Sequence, residues 1–581
     1  MTILKGILTY TLILIGLIVG VGVILVGIMY FFPSVSIFGY KFYHGNSIQP
    51  ICEVVSDDIK TGVEGNIRYI DKKITANLDA IEIDADNYDI EVAIYKGNSA
   101  TTDSFRVEFS KSITGFVNKD DKEPYFTVVA ENKELTGEET KKNVVTFKVN
   151  EPKGWYLNRN AQMKVWVADN IANNNLKDLV IKSGRGSIKF TQTFLAEDTE
   201  LENAVLNVEN LTIYDKANTA DIKFLNINKK LKVVADSCNL SVDRVLSCSI
   251  DLNCQKGKYK FKDIEKTILN PNISVLIKAV NADVQFGKID GNVTLRTDYG
   301  LFRAETINGS FSSQSDNEHD KNNACDLTIG KILGQTIIEN GSGKIEIGQI
   351  GMIETLSTTR DLSINTKSGN ITINNCFAKK VEITSERGAI KLYNALCDAK
   401  ITTSYGSVVV DFMKKDFVMS GVESSAIKNA VDNLKTKSLY VLTGKERGDG
   451  IISVTNVMSK DVYLESRGAG NVYAEFLNLS GVNSISSSRG SAEVIVPDEV
   501  VTVIDGMQYS GFWLNWDANE ADVYIFDYHS YANKSSSAEH YNDKKDAVYM
   551  GGSVAFFDNS TKLSVKANNK TKIYSAGHCA I

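Results

Sequence analysis

A short punctuation recurs through most of the chain: Ser, Thr or Asn, two residues, Gly, one residue, then usually an apolar side chain. It reads Ser183-Gly-Arg-Gly186-Ser-Ile188, Thr297-Asp-Tyr-Gly300-Leu-Phe302, Thr306-Ile-Asn-Gly309-Ser-Phe311 and Asn340-Gly-Ser-Gly343-Lys-Ile345. It continues as Thr366-Lys-Ser-Gly369-Asn-Ile371, Ser385-Glu-Arg-Gly388-Ala-Ile390 and Thr403-Ser-Tyr-Gly406-Ser-Val408, with a weaker copy at Ser487-Ser-Arg-Gly490-Ser-Ala492. Gly369 and Gly388 are 19 residues apart, Gly388 and Gly406 18, Gly470 and Gly490 20. A fixed period near 20 marks stacked units, each too small to bury a core alone.

The unit itself is legible. In Lys380-Val-Glu-Ile-Thr-Ser, Val381 and Ile383 alternate with polar residues, and after Gly388 so do Ile390 and Leu392. Alternation by two means one face in and one face out, hence two short strands per unit. Glycine is expected at the turn because it accepts positive φ without steric cost. Five of the twelve Arg directly precede Gly (Arg185, Arg387, Arg447, Arg467 and Arg489), which predicts a fixed turn that favours a long, solvent-reaching side chain. The expected fold class is all-β, a β-solenoid stacking at ~4.8 Å per coil, with about ten to thirteen coils between 177 and 497. Antiparallel meanders would give similar spacing and are the alternative.

Ahead of these units, Gly6 to Phe32 carries no charge over 27 residues. That is ~40 Å of helix, more than a ~30 Å hydrocarbon core needs. Its length exceeds the apolar region of a secretory signal, so an uncleaved anchor through residues 6–32 is expected, with a cleaved signal peptide as the alternative. Lys5 precedes it and the next charge is Lys41, which points to the amino terminus inside and the bulk of the chain outside. The expected localisation is the cell membrane, single-pass and extracytoplasmic. Gly16-Leu-Ile-Val-Gly20 is a lone small-xxx-small pair and weak evidence for helix pairing.

The expected organisation is a 1–34 transmembrane anchor, a 35–175 β region with longer strands such as Tyr88-Asp-Ile-Glu-Val-Ala-Ile-Tyr95, 176–497 solenoid repeats, and a 498–581 aromatic-rich β cap. Ile427, Ala430, Val431 and Leu434 form an i, i+3, i+4, i+7 stripe, which predicts a helical insertion near 424–437. Net charge is -7 with no long basic run, which argues against nucleic acid.

Ile81-Glu-Ile-Asp-Ala-Asp-Asn-Tyr-Asp-Ile-Glu-Val92, followed by the Thr/Ser-x-x-Gly-x-Ile-x-Ile units, resembles the bacterial putative-adhesin family, a domain of unknown function. The likeness is best from 340 to 410. It implies short turn-punctuated strands wound as a β-helix, often beside a membrane segment, and it carries no catalytic residue.

Candidate chemistry is sparse. Asp316-Asn-Glu-His-Asp320 collects carboxylates but lacks the order of a calcium loop and reads as a solvated insertion. His529, His540 and His578 with Cys579 show no ligand spacing, and the eight Cys show no C-x-x-C pair, so no metal or cofactor is expected. Cys376 and Cys397 fall one column apart on adjacent units; buried free thiols are favoured over a disulfide there. Trp513, Trp516 and Tyr509 read first as part of an end cap and second as flat faces for a sugar or protein. Arg467 and Arg489 are near neighbours among the Arg-Gly turns and a candidate anionic-ligand surface. Arg447-Gly-Asp449 reads as another such turn. No nucleophile elbow, phosphate loop or dinucleotide fingerprint occurs. The functional expectation is an adhesin-like binding or surface-structural protein, not an enzyme, with a glycan or surface protein as partner. The alternatives are a polysaccharide-active β-helix enzyme, which needs a facing carboxylate pair, and a self-assembling envelope scaffold.

Overall fold

The computed structural model describes residues 2–32, 35–47, 52–54, 59–64, 67–72, 78–85, 88–95, 105–118, 126–133, 142–149, 154–168, 176–184, 186–192, 206–314, 324–355, 360–413, 429, 432, 437–444, 448–498, 501–504, 507–510, 512–525, 528–533, 551–555 and 561–576. One helix, Thr2–Phe31, precedes a chain made almost wholly of strands. Residues group into two compact units, 1–261 and 262–581.

In the second unit each coil from Phe311 to Val496 supplies two short strands that meet at a corner. Lys380–Ser385 and Ile390–Tyr393 form one coil; Asp398–Thr403 and Val408–Asp411 form the next. They stack parallel and in register, Val381 on Ala399 and Ile383 on Ile401, Ile390 on Val408 and Leu392 on Val410. The same parallel pairing runs from Ile273–Ile289 to Ala492–Val496, so the meander alternative is excluded. Alternate residues point inward: Val381, Ile383, Ile390, Leu392, Ile401, Val408 and Val410 are all buried. Burying one such side chain contributes roughly 1.5–3 kcal/mol, which is why period-two patterning decides the fold. Between 176 and 497 the described residues hold fourteen coils rather than ten to thirteen. The excess comes from coils built as single bent strands without insertion, such as Leu206–Ile222, Leu225–Val242 and Gly291–Ile307.

The corner glycines stand one above another. A Cβ on Gly388 would lie 1.9 Å from the Gly369 carbonyl oxygen, on Gly406 2.1 Å from that of Gly388, on Gly470 2.0 Å from that of Gly450, and on Gly490 2.6 Å from that of Gly470. Their φ values correct the expectation: of the repeat glycines only Gly300 is left-handed, at 113°. Glycine is required here because the coil below leaves no room for a Cβ. Gly309 belongs to a different column, against Gly291 and below Gly334. At Gly369, Gly388, Gly406 and Gly490 the Ser or Thr three residues earlier closes the corner from inside. Gly388 N–H donates to Ser385 Oγ (3.0 Å), Gly406 N–H to Thr403 Oγ1 (2.9 Å), and Gly490 N–H to Ser487 Oγ (2.9 Å). Ser487 Oγ then donates to the Gly470 carbonyl of the coil below (2.8 Å). These hydroxyls are buried, and each satisfies a backbone group that water cannot reach.

Spatial and chain order part company at one end of each unit. In the second unit, Lys562–Ala567 and Lys570–Ser575 stack directly on Val482–Ser487 and Ala492–Val496. The earlier strands Trp513–Asp517 and Glu520–Ile525 lie outside them. Gly551–Ala555 and Tyr528–Asn533 then add antiparallel. In the first unit, Ala80–Asp84 and Asp89–Tyr95 lie between the coil at Leu176–Ser183 and Ile188–Gln192 and that at Lys142–Val149 and Gly154–Ala168. Phe126–Lys133 and Phe105–Asn118 then add antiparallel on that side. Changing direction ends the parallel template that a bare last coil would offer to another chain. The helical stripe at 424–437 lies largely outside the described residues; Asn429 and Asp432 are helical and exposed.

Candidate functional site

The second unit carries a polar cleft of about 400 Å³ at the corners of its last coils, lined by Glu465, Ser486, Ser488, Asp517, Asn519 and Lys566 among others. Its acidic side is built by strand parity. Tyr463, Glu465 and Arg467 follow one another by twos, so all three stand on the outward face. Tyr463 O–H donates to Glu465 Oε2 (2.5 Å) and Arg467 Nε to Glu465 Oε1 (2.8 Å). Burial alone would raise the Glu465 carboxyl; the hydrogen bonds from Arg467 and Tyr463 outweigh it and hold the group below its ordinary value. The hydrogen bond to Glu465, with burial, pushes the Tyr463 phenol up to about 12. Asp517 faces Lys566 at 3.4 Å. Tyr463 also stacks on Tyr440 of the coil below, centroids 4.8 Å apart and planes 3° from parallel.

Arg467 and Arg489 sit on adjacent coils, where Arg489 N–H donates to the Gly468 carbonyl (3.1 Å). Each described turn arginine faces a carboxylate: Arg387 faces Glu386 (3.4 Å), Arg467 faces Glu465, and Arg489 faces Asp449 (3.6 Å). Arg185 and Arg447 lie outside the described residues. Trp513 and Trp516 share a strand that runs into the cleft at Asp517 but face opposite ways. Trp513 is half-buried beside Asn515, to which its Nε1 donates (3.1 Å), while Trp516 is buried. Tyr509 belongs to a separate hairpin, Val501–Ile504 with Met507–Ser510, and its side chain lies outside the described residues. So do Asp316 to Asp320 and the side chains of His529, His540 and His578. Tyr440, Tyr463, Glu465 and Asp517 were not singled out from the sequence; the Tyr-x-Glu-x-Arg spacing was the available signal.

In the first unit a cavity of about 510 Å³ opens at the corner lined by Asp84, Lys182, Tyr214, Asp215, Asp236 and Cys254. Behind it burial pushes the Cys238 thiol up to about 12 and raises Cys254 and Tyr259, which leaves the thiols protonated and unreactive at neutral pH. In the second unit Cys376 and Cys397 are free and buried, their sulfurs 4.0 Å apart. Among the described residues no group of three or more His, Cys, Asp or Glu is arranged to hold a metal ion.

Fold and surface together define a parallel β-solenoid preceded by one apolar helix. Within it, residues 321–419 match the family model described as Toastrack DUF4097, in line with the adhesin-like, unknown-function resemblance read at 340–410. The chain is also similar to a solved structure described as a putative adhesin from Parabacteroides merdae, at 12% identity, covering 62% of this chain and 99% of that one. The TM-score is 0.19, at which two backbones do not superpose as wholes. No curated protein matches the chain.

Proposed function

We propose that this chain is a membrane-anchored, extracytoplasmic surface protein of adhesin type, in which the solenoid holds its outward side chains in fixed rows for a glycan or surface protein. The glycine column carries the reading: close backbone contact from Gly343 through Gly369, Gly388, Gly406, Gly450 and Gly470 to Gly490 fixes each of these coils on the next and makes a rigid presenting face. The helix segment Thr9–Phe31 is 23 residues long, with mean hydropathy 3.0 over its most apolar 18-residue stretch, long enough to cross a bilayer. In this reading 1–34 is the anchor, 35–175 and 176–497 the body, and 498–581 the cap. The ligand-contacting surface is the cleft with its Glu465–Arg467 rim, Arg489 and the outward ring of Trp513. The enzyme alternative needs a carboxyl kept protonated near neutrality, whereas Glu465 is held in the opposite direction.

The test is a glycan-array and cell-binding screen with the full chain in detergent micelles. Saturable binding weakened about tenfold or more by Trp513→Ala, with unfolding unchanged, is the expected result. Trp516→Ala is no substitute, since that ring is in the core. Absence of saturable binding to any glycan or cell surface contradicts the reading.

A further inference from the structure

Just past the apolar helix the chain folds back beside it. Ser36–Ile37 pairs antiparallel with the start of Tyr40–Ser47, Ser36 opposite Lys41 and Ile37 opposite Tyr40, so Phe38 and Gly39 form a two-residue hairpin turn. Both have positive φ, 52° and 80°. Such turns favour Asn or Asp before Gly, and a bulky aromatic in the left-handed region is uncommon and strained. The Phe38 ring is nonetheless 87% exposed at the tip. Nothing in the fold rewards this choice of residue.

The surroundings do. The hairpin lies against Gly22, Leu25, Val26 and Met29 of the helix, leaving an apolar cavity of about 390 Å³ lined by those residues with Ile37, Phe38, Tyr40 and Phe116. Gly22 is nine residues before Phe31, about 14 Å along the axis. The tip therefore stands level with the last turns of the apolar segment Thr9–Phe31. Around it Tyr30, Phe31, Phe32 and Tyr40 are exposed, with Val35 beside them, four aromatics of the kind that gather at a membrane interface. Behind the tip, Phe42 is buried between Tyr30 and Phe116, with centroids at 6.0 and 5.0 Å, which fixes the hairpin to the helix end. The Tyr40 strand also pairs with Phe105–Asn118 on its other side, so only the short outer strand and the turn leave backbone groups open, as a bilayer demands. Lys41, half-buried three residues after the tip, is the first charge that follows the apolar segment.

We propose that this hairpin is a second membrane-contacting element: Phe38 inserts into the outer leaflet beside the helix, and lipid acyl chains fill the cavity between them. The inference rests on the anchor reading above, and its test separates the two. The photoreactive analogue p-benzoylphenylalanine is placed at position 38, 17 or 229 of the full chain. The chains are reconstituted in phosphatidylethanolamine–phosphatidylglycerol vesicles, irradiated and examined for lipid adducts by mass spectrometry. Leu17 is exposed within the apolar helix, and Lys229 is a solvent-facing control. The expected result is lipid adduct at 38 within about threefold of that at 17 and at least about tenfold above that at 229. Adduct at 17 without adduct at 38 overturns the hairpin proposal and leaves the anchor standing. Absence of adduct at 17 overturns the anchor and the hairpin with it. Equal adduct at 229 overturns both, because the labelling is then not confined to the membrane.

Discussion

Gly388→Ala is the sharpest perturbation of the corner. The added methyl would lie 1.9 Å from the Gly369 oxygen and 2.6 Å from its carbon, both backbone. Ordinary contact begins near 3.4 Å, so the coils must part locally by about 1.5 Å against a spacing of ~4.8 Å. Three hydrogen bonds to the coil below lie within two residues: Arg387 N–H to Lys367 O (2.7 Å), Glu386 N–H to Thr366 O (3.1 Å) and Ala389 N–H to Asn370 Oδ1 (3.0 Å). None survives such a lift. Three lost bonds at roughly 1 kcal/mol each, with the strain of overpacking, cost about 3–5 kcal/mol. Because each coil touches only its neighbours, the damage is local. Urea unfolding combined with hydrogen exchange would show early opening confined to the coils around 362–411. Arg387→Ala is the control: its side chain is exposed and, among the described residues, engages Glu386 and the Tyr405 ring, so its cost stays within about 1 kcal/mol. A Gly388→Ala chain within about 0.5 kcal/mol of the parent, with unchanged exchange, would refute the close-approach account.

Three further outcomes follow from the same geometry. Thr403→Val strands the buried Gly406 N–H now bonded to Thr403 Oγ1 at 2.9 Å and costs about 1–3 kcal/mol; Thr403→Ser keeps most of it, and equal losses would argue against the hydroxyl's role. The Glu465 carboxyl lies below its ordinary 4.5 when folded. Its contribution is therefore present above pH 4.5 and is lost as pH falls from there through the folded value. Glu465→Gln should flatten the acid limb of a stability–pH curve, and an unchanged limb would contradict the assignment. Burial pushes the Cys238, Cys248 and Cys325 thiols up to about 12, so these and the free Cys376 and Cys397 should resist an aromatic disulfide reagent at pH 8 until urea unfolds the chain; rapid labelling of any of them in the folded chain would count against the buried core.

The solenoid was readable because Val381, Ile383, Ile390 and Leu392 recur with the coil, and inward aliphatics dominate the energetics. The glycine's reason was not. A single chain shows that Gly388 is glycine, but not that the Gly369 carbonyl lies beneath it, so positive φ was the default inference and a wrong one. The buried hydroxyls have the same history: Ser385 and Thr403 look like ordinary turn formers until their burial makes their bonds obligatory. Stacking order was hidden too, since nothing in Lys562-Leu-Ser-Val-Lys566 says that it will slide between 482–496 and 513–525. Some of the candidate surface could have been read better. Trp513 and Trp516 differ by an odd number, so in one strand they point to opposite faces, and Leu514 and Trp516 share the inner one. Tyr463, Glu465 and Arg467 differ by even numbers and were bound to share the outer face.

The central claim is that successive coils stack parallel and in register at the glycine corner. A cysteine register scan tests it most directly. Glu382 and Lys400 are opposite one another on adjacent coils and form an outward ion pair at 3.1 Å. The double variant Glu382→Cys with Lys400→Cys should close an intrachain disulfide under mild oxidation, while Glu382→Cys with Thr402→Cys, two residues out of register, should not. Cross-linking of the second pair in preference to the first, or only between separate chains, would contradict the stacked solenoid.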